Sequence, residues 1–141
     1  MDVRTILKRK GTEVATASSD SSVVDIARML REKRIGTIVL MDGDRLAGII
    51  SERDIVRAMA DAADMAAVRP ARDYMTRRML TCAPDDSTDT LMAMMTEKRV
   101  RHLPVLEDGK LAGIVSIGDV VKQRIEEILF EAEQMKQYIN S

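Results

Sequence analysis

Apolar residues along the chain follow two different periods. Val23, Ile26, Ala27 and Leu30 recur at helical spacing, with Asp25, Arg28, Arg31 and Glu32 between them. That pattern predicts an amphipathic helix over Val23–Lys33. Residues 35–41 form a run rich in β-branched residues and predict a buried strand. Asp42-Gly43-Asp44 supplies a hairpin turn, residues 45–51 a return strand, and residues 55–63 a helix led by Ile55, Val56 and Met59. Upstream, residues 12–16 read as a short extended segment. Residues 18–22 read as a polar turn, with Asp20, Ser21 or Ser22 as helix cap. Val3, Ile6 and Leu7 predict a short helix that runs through Lys8-Arg9-Lys10 and ends at Gly11.

The same order then recurs. Residues 79–83 predict a strand, 84–87 a turn and cap, 88–98 a helix and 100–106 a strand. A turn at 107–109 leads to a return strand at 110–116, and Asp119 starts the last helix. The correspondence reaches individual residues. Leu46-Ala47-Gly48-Ile49-Ile50-Ser51-Glu52-Arg53-Asp54 returns as Leu111-Ala112-Gly113-Ile114-Val115-Ser116-Ile117-Gly118-Asp119, 65 residues later. Glu32-Lys33-Arg34 returns as Glu97-Lys98-Arg99 at the same offset, and Thr16 and Asp20 return as Thr81 and Asp85. Further upstream the offset is 68, so the first unit holds three extra residues near Gly11-Thr12-Glu13. Two small equal units, each too short to bury a good core alone, are expected to pack on each other. The expected division is 1–64 for the first repeat with its N-terminal helix, 65–71 for a linker stopped at Pro70, 72–124 for the second repeat, and 125–141 for a C-terminal helix. The last helix outruns its counterpart. Val120, Val121, Arg124, Ile125, Ile128, Leu129, Ala132, Met135 and Ile139 carry a stripe to the end. It packs either on its own domain or, the reading favoured here, on a second subunit.

Composition narrows the function classes. Of 141 residues, 45% are apolar and 32% charged, a globular balance. Aromatics make up only 2%, so the core must be aliphatic with help from the 11 methionines. The 22 basic and 23 acidic residues leave a net charge of −1, which argues against general nucleic-acid binding. The single cysteine, Cys82, fits a reducing compartment. No apolar run approaches the ~20 residues of a membrane span, and no signal-peptide pattern is visible. A cytoplasmic protein without membrane attachment is expected.

These residues resemble a known family. Arg72-Asp73-Tyr74-Met75-Thr76, Thr81-Cys82-Ala83-Pro84-Asp85-Asp86-Ser87, Val100-Arg101-His102-Leu103-Pro104-Val105 and Gly113-Ile114-Val115-Ser116-Ile117-Gly118-Asp119 make the second unit similar to a CBS domain. The pair resembles a Bateman module, the tandem form also inserted in inosine-monophosphate dehydrogenases and in the γ subunit of AMP-activated kinase. The first unit departs from the pattern at Val39 and Ser19, where the second has Pro104 and Pro84. The resemblance covers nearly the whole chain. It implies an α/β (α+β) fold of two βαββα repeats packed with pseudo-twofold symmetry, with two equivalent clefts that take adenine nucleotides such as AMP, ATP or NAD(H).

By the same resemblance, Asp54 and Asp119 become ribose-binding candidates. A vicinal diol offers two O–H donors, and one carboxylate can accept both. Ser51 and Ser116, three residues earlier at the same helix starts, suit a phosphate. The competing reading of each Ser-x-x-Asp is a helix-capping box, and the serine can serve both purposes. Arg101 and His102 in the second repeat, and Gly36 and Thr37 in the first, would line the phosphate end of the clefts. Arg53 adds a charge that Gly118 lacks. Gly36 would leave room for a larger ligand. Ala15, Thr16, Leu80 and Thr81 would border the adenine. His102 is the only histidine and has no ligand-spaced companions, so no metal site is expected.

No catalytic constellation emerges. There is no Gly-rich phosphate loop and no credible Ser-His-Asp set. Cys82 reads as a small buried residue, and Asp85-Asp86 as a helix start. The expected protein is not an enzyme and needs no cofactor. It is a sensor that binds an adenine nucleotide and signals to an unknown regulated protein. The alternative is a dimerisation adaptor with no small-molecule ligand. Nucleic-acid binding through Lys8-Arg9-Lys10 and Arg77-Arg78 ranks below both. A twofold homodimer is expected, built on Val23, Ile26, Ala27 and Leu30, on Leu91, Met94 and Met95, and on the C-terminal stripe.

Overall fold

The computed structural model describes residues 1–140, and at 62–64 the backbone alone. Ser141, assigned above to the C-terminal helix, lies outside the described residues. The chain falls into two compact units of mixed α/β structure.

One unit contains residues 13–80 together with 108–111. Strand β1 (Thr16–Ser18) runs parallel to β2 (Thr37–Asp42), which pairs antiparallel with β3 (Arg45–Ser51). Gly43 makes the turn at φ 62°, a conformation that glycine adopts without Cβ strain. Helix α2 (Val23–Lys33) starts at Ser22, whose hydroxyl accepts the Asp25 N–H at 3.2 Å. Arg34 ends it in the left-handed region, φ 55°. Ile26 and Leu30 of α2 lie in one cluster with Ile38, Leu40 and Ile50 of the sheet. Helix α3 (Glu52–Ala62) follows β3, and two 3₁₀ turns, Ala63–Val68 and Ala71–Asp73, follow α3.

The other unit brings Met1–Thr12 together with Thr81–Glu107 and the chain from Ala112 onward. It holds α1 (Val3–Lys10), α4 (Thr88–Lys98), β4 (His102–Glu107), all but the first two residues of β5 (Lys110–Ser116), and α5 (Ile117–Asn140). The N-terminal helix, assigned from the sequence to the first repeat, therefore packs with the second. Asp2 caps α1 by accepting the Thr5 N–H at 3.1 Å. Val3 and Arg4 donate their N–H groups to the carbonyls of Asp86 and Pro84, both at 2.9 Å.

A glycine lies at the docking point. A Cβ on Gly113 would lie 2.7 Å from Leu7 Cδ2, the movable end of that side chain, so glycine eases the approach of α1 to β5. In the other unit, a Cβ on Gly48 would lie 2.6 Å from Met75 Sδ and 2.8 Å from the Thr76 carbonyl. Leu7 and Met75 correspond at the 68-residue offset. Each segment that precedes one repeat in the chain thus packs on the Leu-Ala-Gly-Ile strand of the other repeat.

Two further expectations change. The strand expected at 79–83 is reduced to a single parallel bridge, Cys82 to Val105. Two bonds hold it: Cys82 N–H to the Pro104 carbonyl at 3.0 Å, and Leu106 N–H to the Cys82 carbonyl at 2.9 Å. In the first repeat the flanking bonds are Val39 N–H to Ala15 and Ser19 N–H to Met41. Their counterparts would be donated by Pro104 and Pro84, which have no N–H. The apolar faces of α2 and α4 were expected on a dimer rim. Val23, Ile26, Leu30, Leu91 and Met95 are instead buried within their own units, and Ala27 and Met94 are half-buried.

Candidate functional site

The first-repeat candidates gather at one end of the three-stranded sheet. Thr37 opens β2 opposite Ser51, which closes β3. Thr16 opens β1 two residues along from there, opposite Val39, and the Ala15 carbonyl accepts the Val39 N–H. The Gly36 carbonyl accepts the Glu52 N–H at 3.0 Å, which holds the start of α3 at this same end. A side chain at position 36 would meet only the Glu52 carboxylate at 3.7 Å, so packing does not demand glycine there. Arg53 is exposed on the first turn of α3.

Ser51 and Asp54 form a reciprocal box at the start of α3. Asp54 Oδ2 accepts the Ser51 N–H at 2.8 Å and the Ser51 hydroxyl at 3.1 Å. Asp54 Oδ1 accepts from Arg57 at 3.0 Å, and Arg57 also donates to the Tyr74 carbonyl. Asp54 itself is buried. The capping role weighed for Ser-x-x-Asp is thus realised in this structure.

The second repeat builds the equivalent end. Arg101 is exposed, and its carbonyl accepts the Ile117 N–H at 2.8 Å, as Gly36 does for Glu52. His102 opens β4 and Ser116 closes β5. Thr81 is half-buried beside bridged Cys82, and Leu80, also half-buried, belongs to the other compact unit. Asp119 Oδ2 accepts the Ser116 N–H at 2.9 Å, and the Asp119 N–H reaches the Ser116 hydroxyl at 3.1 Å. Lys10, the last residue of α1, donates to Asp119 Oδ2 at 2.7 Å and to the Ile114 carbonyl at 3.0 Å. Sequence reasoning missed Lys10, because it read the basic cluster as part of a different repeat.

Charge at this end follows from these contacts. Burial would raise the Asp119 carboxyl, but the hydrogen bonds from Lys10 and the Ser116 N–H outweigh it and hold the group below its ordinary value. Burial, with the neighbouring positive charges of Lys10 and Arg101, depresses His102 against the pull of Asp119. His102 is therefore neutral at pH 7. Beside Asp119, a cavity of about 110 Å³ is lined by Ile6, Arg9, Lys10, Asp119, Lys122 and Gln123. It is smaller than the ~300 Å³ at the low end for ligand pockets. Burial pushes the Cys82 thiol up to about 12, which disfavours a thiolate nucleophile. Arg9 is occupied by Glu126 and by Gln123, so two cations of the basic cluster are committed within the chain.

The CBS-domain family model matches residues 3–61 and again residues 71–126. The chain belongs to the CBS-domain family. Among solved structures, this CBS-domain chain is 41% identical to the CBS-domain containing protein ATU1752 from Agrobacterium tumefaciens, with a TM-score of 0.84 over 88% of this chain and 99% of that one. The CBS domain pair of MJ0100 was solved in complex with 5′-methylthioadenosine and S-adenosyl-L-methionine. It is 26% identical, with a TM-score of 0.78 over 90% of this chain and 98% of its own. PAE2072 from Pyrobaculum aerophilum, complexed with AMP, is 27% identical, with a TM-score of 0.74 over 84% and 89%. Against curated sequence relatives the chain is shorter: it spans 69% of one and 65% of another. Among the described residues, no cluster of His, Cys, Asp or Glu is placed to hold a metal, and no helix is long and apolar enough to cross a membrane.

Proposed function

We propose that this CBS-domain chain is a non-catalytic regulatory module that binds an adenine nucleotide at its two Ser-x-x-Asp ends and works as a twofold homodimer. The observation that carries the reading is the repeated constellation itself. Each repeat sets a carboxylate in the first turn of a helix, beside a serine hydroxyl and the open end of a sheet. A ribose diol donates to such a carboxylate, and each charge-assisted bond contributes about 1.5–3 kcal/mol. On this reading Ser51, Ser116, Arg53, Arg101, His102, Gly36 and Thr37 serve the phosphate, and Ala15, Thr16, Leu80 and Thr81 the base. The adenosine compounds carried by MJ0100 and PAE2072 support the ligand class. AMP, ATP and NAD(H) are the candidates for this chain, with a regulated protein downstream and the cytoplasm as the setting.

Calorimetry with AMP, ATP, NAD and NADH tests the reading. Asp54→Asn and Asp119→Asn are the informative variants. Asparagine keeps an acceptor for the serine N–H and so preserves the cap, but it loses the charge and half the acceptor capacity that a diol needs. Binding by the parent, weakened roughly tenfold or more in each variant, is expected. Equal binding by the double variant would remove the ribose assignment.

A dimerisation adaptor without a ligand is the second reading. It is favoured by exposed apolar residues on both units: Val56, Met59, Met65 and Val68 on one, Val121, Ile125, Ile128 and Leu129 on the other. It becomes the better reading if none of the four nucleotides binds.

A further inference from the structure

The last helix carries a surface that none of the described residues covers. Helix α5 buries Val120, Gln123 and Glu127 in its own unit, where Glu127 accepts the Thr88 hydroxyl at 3.2 Å. Beyond that point every residue from 128 to 140 is exposed. The family match ends at residue 126. The exposed stretch spans about 20 Å of helix. An isolated helix under ~12–15 residues is marginal in water, even with the best helix formers. This one is also far from polar: Leu129 is 64% exposed, Met135 62% and Ile139 74%.

The spacing specifies the cover. Val121, Ile125, Ile128, Ala132, Met135 and Ile139 follow one another at steps of four and three, and all six are exposed. These are the d and a positions of a heptad seam, with Ile125, Ala132 and Ile139 at a. Isoleucine at a specifies two strands when leucine fills d; here d holds Val121, Ile128 and Met135, so the number of strands is taken from the twofold homodimer reading. The flanking charges fit the same arrangement. In a parallel in-register pair, a g residue meets the e residue five positions on in the other helix. Glu131 is at g and Lys136 at e, and among the described residues neither forms an ion pair. Full antiparallel overlap would instead set Glu131 against its own copy.

We propose that α5 is one half of a parallel two-stranded coiled coil formed with a second copy of this chain, its direction set by Glu131 and Lys136. The inference rests on the homodimer reading and adds to it the surface and the direction.

The test uses the full chain at micromolar concentration. Ile139→Cys places a thiol in the seam, and Gln137→Cys places one on the outer face. Native Cys82 is buried and does not interfere. Under mild oxidation, Ile139→Cys should link into a disulfide dimer at least tenfold faster than Gln137→Cys. Glu131→Lys and Lys136→Glu should each raise the dimer dissociation constant several-fold at low salt, and the two together should restore it. Equal linking rates would overturn the coil, and so would an Ile128→Asp/Met135→Asp variant that keeps the parent's mass by light scattering. Both results leave the dimer reading intact. A parent of monomer mass overturns both.

Discussion

Asp54 and Asp119 close the same box with their serines, but their remaining oxygens differ. Asp54 already receives three hydrogen bonds, including one from Arg57 on Oδ1. Asp119 receives its bonds on Oδ2 alone. A carboxylate offers about four acceptor positions, so Asp119 keeps a whole oxygen for a diol. Asp119→Asn should therefore cost more nucleotide affinity than Asp54→Asn when each site is titrated. The Asp119 carboxyl also carries a pH dependence. Its folded value lies below the ordinary 3.8, so its stabilisation is present above that pH and is lost as pH falls through the folded value. Lys10→Met should remove most of this, about 0.2–1 kcal/mol, read as a smaller difference between urea midpoints at pH 7 and pH 3. His102 has the opposite state preference. Its folded value lies below 6.5, so the unfolded chain takes up its proton first and stability falls as pH drops below 6.5. A phosphate bound against His102 would raise its affinity for a proton. Nucleotide binding near pH 6 should then take up protons, visible as a binding enthalpy that changes with buffer. A buffer-independent enthalpy would remove His102 from the phosphate contacts.

At the scale of elements, the two repeats show what one missing N–H does. Ser19 donates to the Met41 carbonyl and extends the β1–β2 ladder, while Pro84 at the matching position donates nothing. Ser19→Pro should shorten β1 and cost about 1–3 kcal/mol by urea unfolding, since it strands a carbonyl. Ser19→Ala is the control. It keeps the N–H and loses only the side-chain bond to Asp42. Equal losses in the two variants would shift the explanation to the hydroxyl. Both repeat helices end on an arginine in the left-handed region, Arg34 at φ 55° and Arg99 at φ 54°. Glu-Lys-Arg was visible as a repeated string closing both predicted helices, but the left-handed arginine after each was not, because glycine is the usual residue there.

For the whole chain, the consequential fact is that α1 belongs to the unit of the second repeat. Deleting residues 1–10 removes the buried Val3, Ile6 and Leu7 and uncovers Gly113. Hydrogen exchange should then speed up across β4, β5 and α4, with β1–β3 far less affected. Uniform loss of protection would mean that the helix supports both units alike. The same fact explains the charge pattern at the second Ser-x-x-Asp end. Lys10 arrives there from the far end of the chain, and the first repeat uses Arg57 of its own helix instead.

The sequence alone determined whatever depends on neighbours in the chain. Period separated helices from strands. Repetition at one offset marked two units, and Ser-x-x-Asp marked two helix starts with a carboxylate in the first turn. These signals are local, and the backbone obeys them wherever it goes. Tertiary structure decided the partners. Ile26 and Leu30 show the same stripe whether they face a core or a second subunit, and only the surrounding sheet made them core. The stripe on α5 shows the converse, since residues 128–140 find no cover among the described residues of their own chain. The place of α1 depends on contacts more than a hundred residues away, where Leu7 packs beside Gly113. Such a match between distant surfaces leaves no period and no motif in the chain, because the free energy lies in their packing against each other.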